Sequence, residues 1–268
     1  MASFSVVSNI ASASAQANLS GTNLGLNKAL TRLSSGYRIN TAGDDAAGLA
    51  LANANRNKVQ VLDQGVRNAN DGLSQLQIKD GALNNISSLL DRLATLATQG
   101  ASAAGGIDIS KLSSEFNTLT SEIDREAAVA GMTASASFSV FVSAESTVAN
   151  GSVSGTINAV QVTNLGITQL TFTTVAQAQT ALSQVQAAIS TLGSVQNTIG
   201  TLQNRLQFAI SLAQSQQVNT KAAESRIRDA NIAEESANMT RYNILTQSGI
   251  AALAQANQTS SSVLALLR

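Results

Sequence analysis

The sequence predicts a mainly α protein: long coiled-coil-like helices from both chain ends packed side by side, with a small β-rich insert in the middle. Three observations carry this. Among 268 residues there is no proline, the residue that breaks helix interiors by lacking an N–H and clashing with the preceding turn. Leu62, Ala69, Leu76, Leu83, Leu90 and Ala97 recur at every seventh position, the spacing of a helix seam. Beyond them, from about Thr133 to Val175, the chain turns rich in Val, Thr, Phe and Ile with near-alternation, the pattern of short strands and turns.

Taken in order, Leu19, Leu26, Leu30 and Leu33 are spaced by three, four or seven residues and predict a terminal helix. The stretch "LSSGYRINTAGDDAAGLA" then punctuates the chain. Gly36 suits a left-handed helix cap, and Asp44 and Asp45 suit the positive start of the next helix. Arg38 beside these carboxylates is either a salt-bridged spoke or a set of solvated charges worth under about 1 kcal/mol. The residues alone read as a linker.

The heptad run, flanked by Val59, Val66, Leu73, Ile86 and Leu93, predicts a long helix from about Asp44 to Gln99. Gly100, Gly105 and Gly106 break it, and a second helix is expected from about Ser110 to Val129, ending at Gly131. "SASFSVFVSAES", "SVSGTINAVQVTN" and "ITQLTFTTV" follow as strand-like segments bounded by Gly151, Gly155 and Gly166. This insert lies outside both helical seams and is expected to be replaceable. Leu182, Val185, Ile189, Leu192, Val195, Ile199, Leu202 and Leu206 then form another seam, continuing through Ala213 towards Asn219. Ile250, Leu253, Leu264 and Leu267 mark the closing helix.

Composition narrows function. With no cysteine and no histidine, disulfides, thiolate metal sites and His-based nucleophile pairs are unavailable. Asp44/Asp45 and Glu234/Glu235 are the carboxylate candidates, but neighbours in a helix point about 100° apart and rarely form a working acid–base pair. No catalysis, cofactor or metal is expected. The net charge of zero gives no reason for nucleic-acid binding. No apolar run is long enough for a membrane span, and "MASFSVVSNIASASAQANLS" lacks the features of a cleavable secretory signal. Charge is absent before Lys28 and between Arg241 and Arg268. Solvated helix faces carry many charges, so these ends suggest surfaces meant to be covered.

The segment "LTRLSSGYRINTAGDDAAGLALA", continued by "VRNANDGLSQLQIKDGALNNISSLLDRLATLATQGAS", closely resembles the N-terminal half of bacterial flagellins. The tail "ESRIRDANIAEESANMTRYNILTQSGIAALAQANQTSSSVLALLR" is similar to the family's C-terminal end. The resemblance covers about residues 1–130 and 180–268. It implies a structural subunit, exported without signal cleavage, that polymerises into the filament used for swimming. Its terminal helices would form an inner tube, with Leu19, Leu26, Leu33, Ile250, Leu253, Leu264 and Leu267 packing there. A spoke around Arg38, Asn40, Asp44 and Asp45 would lead to the outer layer, and the variable insert would face outward.

The implied division is 1–43 with 222–268 as terminal helices and spoke, 44–131 with 176–221 as helical core, and 132–175 as outer insert. The implied partners are further copies of the chain, an export chaperone, and the cap and junction proteins, with the extracellular flagellum as location. Toll-like receptor 5 is a further implied partner. "DRLATLATQ" aligns with the family's receptor segment through Arg92 and Leu96, with Glu115 as an acidic contact, although Asp91, Ala94 and Thr95 depart from its usual residues. A hook–filament junction protein is the alternative reading, and a non-flagellar coiled-coil adhesin a more distant one.

Overall fold

A computed structural model describes residues 9–102, 108–143 and 151–266, with side chains as far as residue 258. Its described elements are α1 (Ile10–Ser35), α2 (Ala46–Ala101), α3 (Ile109–Val129), β1 (Ala136–Phe141), β2 (Ser152–Ile157), α4 (Val175–Arg228) and α5 (Ile232–Leu266). The chain divides into two compact units, Met1–Asn57 with Asn219–Arg268, and Lys58–Val218.

In the first unit α1 and α5 pack together along their lengths. Asn9 caps α1 by accepting a hydrogen bond from the Ser12 N–H at 3.0 Å, and its amide donates to the Ala256 carbonyl at 3.0 Å. One side-chain amide thus starts one helix and ties it to the other. Ala29 is fully enclosed, and Leu19, Leu26, Leu33 and Leu253 are half-buried. Leu30 and Ile250, expected on the seam, are exposed, Ile250 to 57%. A helix pair has one facing side only, so a residue with seam spacing but the wrong azimuth stays outside. The Leu264 side chain and Leu267 fall outside the described residues.

The second unit holds the continuous core. All six heptad residues from Leu62 to Ala97 are buried, as are Val185, Leu192, Val195, Ile199, Leu202, Leu206 and Ala213 from α4. Helix α3 adds Phe116, Ile123 and Ala127. The strands β1 and β2 form an antiparallel hairpin, running in register from Ala136 opposite Ile157 to Phe141 opposite Ser152.

Two expectations need correction. "ITQLTFTTV" forms no strand. Its backbone donors are met by helix side chains instead: Thr168 and Gln169 N–H donate to Gln184 Oε1 at 3.0 and 2.9 Å, and Phe172 N–H donates to Ser113 Oγ at 3.0 Å. Once those partners are taken, a third ladder is unnecessary. The insert also does not stand clear of the seams. Val153, Ile157, Val160, Val162, Leu165, Ile167 and Phe172 are buried in the same cluster as the helices. A small unit has little apolar surface to spare, and the insert supplies a large part of it.

The hairpin end lies directly against α2. A Cβ placed at Gly65 would overlap the Val142 carbonyl, so only glycine permits this close approach. Gly65→Ala is expected to cost about 1–3 kcal/mol through forced displacement of the hairpin. Urea unfolding followed by circular dichroism measures this, and an unchanged midpoint would contradict the tight seating.

Helix α4 runs unbroken to Arg228, past Asn219, towards which the seam spacing continues, and past the implied domain boundary at residue 221. The added residues 222–228 hold Ala, Glu and Arg, all good helix formers, with one Ser and one Ile, and no Gly or Pro to stop them.

Candidate functional site

The punctuated stretch after α1 is a joint built from two chain segments far apart in sequence. Helix α1 ends because Gly36 takes a left-handed conformation (φ 74°), which lets its N–H bond back to the Arg32 carbonyl at 2.9 Å. The chain then runs antiparallel to the turn between α4 and α5. Arg38 N–H donates to the Arg228 carbonyl at 2.6 Å, Ala230 N–H donates to the Gly36 carbonyl at 2.9 Å, and Tyr37 stands opposite Asp229. Side chains reinforce the crossing. The Arg228 guanidinium lies 4.2 Å from the Tyr37 ring centroid and its Nε donates to the Ile39 carbonyl at 3.4 Å. Ile39 itself is buried.

Each sequence-predicted spoke residue has a definite place here. Arg38 does not pair with Asp44 or Asp45: its Nη2 donates to the Ile227 carbonyl at 2.9 Å, near the end of α4. Cations are favoured there because the last carbonyls of a helix lack internal partners. Asp44 Oδ2 accepts from the backbone N–H of Asn40 and Thr41 at 3.2 and 3.0 Å and from the Thr41 hydroxyl at 3.1 Å. Asp45 precedes α2 and caps it, accepting from Gly48 N–H at 2.9 Å. The two carboxylates are therefore consumed by loop closure and helix capping. The salt-bridged alternative is not formed, because local backbone donors bind both carboxylates.

Backbone hydrogen bonds from Thr41 and then Asn40 hold the Asp44 carboxyl below its ordinary value of 3.8. A lowered folded pKa stabilises the loop fully above the unfolded value and loses that contribution as pH falls through the folded pKa. The Asn40 and Thr41 amide resonances are expected to shift together with a midpoint below 3.8. In Asp44→Asn that titration should vanish. A midpoint at or above the ordinary value would remove the assigned cause.

The sequence named Glu235 only as a carboxylate candidate and singled out neither Arg32 nor their pairing. Arg32 on α1 pairs with Glu235 on α5 at 3.1 Å, the Glu235 side chain being only 10% exposed. Glu234 and Glu235 both lie in the first turn of α5, where the positive helix end favours carboxylates. That pairing spans 203 positions, a separation no local spacing rule can bridge. Arg92 and Glu115 do meet, at 2.6 Å between α2 and α3, with side chains 50% and 44% exposed. Leu96 is fully buried in the core and presents no side chain to a receptor, which corrects its expected contact role.

Among the described residues no group of three or more carboxylates could hold a metal ion, and no helix is long and apolar enough to cross a membrane. A charge-poor helix pair made from both chain ends, joined by a cross-braced turn to long seam helices, defines a structural subunit. Residues 6–134 match the family model of the bacterial flagellin N-terminal helical region, and residues 175–267 match that of the C-terminal helical region. The chain belongs to the bacterial flagellins.

It is 35% identical to a flagellin of Halalkalibacterium halodurans, over 92% of this chain and 95% of that one. It is 33% identical to the flagellin FlaB1 of Treponema pallidum, over 97% of this chain and 98% of that one. A crystal structure of Bacillus cereus flagellin aligns with a TM-score of 0.47 at 28% identity, covering 59% of this chain and 94% of that chain. The two family matches leave the hairpin segment between them uncovered.

Proposed function

We propose that this chain is exported to the cell exterior and polymerises there with copies of itself into the helical flagellar filament. Its membership of the flagellins through both terminal regions carries this reading. The uncharged stretches of α1 before Lys28 and of α5 after Arg241, with Leu24, Ile244 and Ile250 exposed, support it by offering apolar surface for neighbouring copies. The joint of Arg38, Asn40, Asp44 and Asp45 would be the spoke that follows the first terminal helix. The division into terminal helices with spoke (1–43 and 222–268), core (44–131 and 176–221) and insert (132–175) belongs to the same proposal.

The test is assembly of the purified protein, induced by salt and viewed by negative-stain microscopy. Long filaments grown without any other protein are expected. A hook–filament junction protein would fail to grow alone, although similarity to filament flagellins over more than nine-tenths of the chain does not favour that alternative. An export chaperone and the cap and junction proteins are the accompanying partners in this proposal, and it assigns no catalysis. Recognition by toll-like receptor 5 would have to use the half-exposed Arg92 and Glu115, without the Leu96 side chain.

A further inference from the structure

Beside the joint, Asn27, Lys28, Thr31, Arg32, Asn40, Thr41 and Asp44 line an open cleft of about 210 Å³. Its charges are not equally available. Asp44 is engaged by Asn40 and Thr41, and Arg32 by Glu235. Lys28 is exposed and makes no ion pair among the described residues. Lys28 is therefore the one charged side chain of the cleft with neither a hydrogen bond nor an ion pair among the described residues, while the Thr31 and Thr41 hydroxyls already donate to the Asn27 carbonyl and to Asp44.

Lys28 has a second distinction: it is the first charged residue of the chain, at the edge of the uncharged surface of α1. If that surface is covered in a polymer, the ammonium is drawn out of water at its margin. An unpaired desolvated charge is strongly unfavourable, and an opposite charge offsets it. In the same unit, Asp44, Asp45, Asp229 and Glu235 are all occupied, Asp229 by the Ser225 hydroxyl at 2.5 Å. Glu224 and Glu234 carry no ion pair among the described residues, and Glu234 is exposed.

We infer that this cleft receives a carboxylate from a second copy of the chain, Glu224 or Glu234, paired with Lys28. The inference rests on the filament reading above. It places a directional charge contact at the edge of an otherwise apolar interface, where such contacts govern register and association rate.

The experiment is zero-length carbodiimide coupling of salt-assembled filaments and of monomer, followed by peptide mass spectrometry. The expected product is an isopeptide between Lys28 and Glu224 or Glu234, present in filaments and absent from monomer. Mixed isotope-labelled and unlabelled chains establish that it joins two copies. Lys28→Gln should raise the critical concentration roughly fivefold, with Lys28→Arg close to the parent. Filaments in which Lys28 stays uncoupled and as open to acetylation as in monomer would overturn the inference and leave the filament reading intact. Coupling within one chain, or a pocket saturated by phosphate with assembly unaffected by Lys28→Gln, would overturn it too. Failure of the parent chain to form filaments would instead defeat the reading it rests on.

Discussion

Phe172→Ala is expected to lower the unfolding free energy of the chain by about 3–5 kcal/mol. Phe172 is fully buried and meets Phe116 edge to face, with ring centroids 5.4 Å apart and planes at 78°. Such pairs add about 0.5–1.5 kcal/mol beyond the area they remove from water. Its backbone N–H is also spent on the Ser113 hydroxyl of α3. Truncation would leave a cavity between α2, α3 and α4, because the surrounding helices are too long and well anchored to collapse into it. Urea unfolding followed by helical circular dichroism measures the loss, with Phe141→Ala, at a half-exposed strand end, as the mild control. A loss below about 0.5 kcal/mol would mean that the insert is only loosely applied. The same burial implies that exchanging residues 133–175 for a short Gly/Ser turn would strip the core rather than trim a decoration.

Deletion of residues 1–30 or 240–268 should abolish filament formation while the second unit keeps its cooperative unfolding transition. The core cluster of the second unit runs from Leu62 to Ala213, wholly within Lys58–Val218, so neither deletion removes a member of it. What each deletion removes is most of one member of the α1–α5 pair and one side of the Asn9–Ala256 tie, while Arg32 and Glu235 remain in both truncated chains. An isolated helix in water gains little from propensity alone and depends on a packed face. Sedimentation of assembled protein, alongside urea unfolding of each truncated chain, reads both halves of this expectation. Filaments of normal form from either deletion would refute the role given to the ends.

The seam helices were legible because their signal is repetitive. Six heptad positions in a row are buried as expected, and the spacing tolerates one or two misread residues. The left-handed cap at Gly36 was legible for a different reason: few residues other than glycine take that conformation, so the residue type nearly states the geometry. Of the two readings left open for the spoke charges, the salt-bridged one is not formed, since Arg38 donates to the Ile227 carbonyl. Backbone N–H groups, which no residue letter advertises, compete for the same carboxylates and prevail by being nearer. Leu96 was misassigned as a surface contact by alignment alone, although it follows the buried Leu90 and Leu93 and directly precedes the heptad residue Ala97.

By itself the sequence determined the helical class, the two seams, the strand-like middle, the lack of charge at both ends and the family. All but the family follow from periodicity and composition, which are properties of short windows; the family came from the likeness of the two terminal segments to the flagellins. The tertiary structure alone decided that the insert is buried, that Arg228 and Tyr37 brace the joint, and that Arg32 finds Glu235. Those contacts join residues far apart in the chain, as with Arg32 and Glu235, 203 positions apart. Only the folded backbone brings their donors and acceptors within the roughly 3 Å over which a hydrogen bond acts.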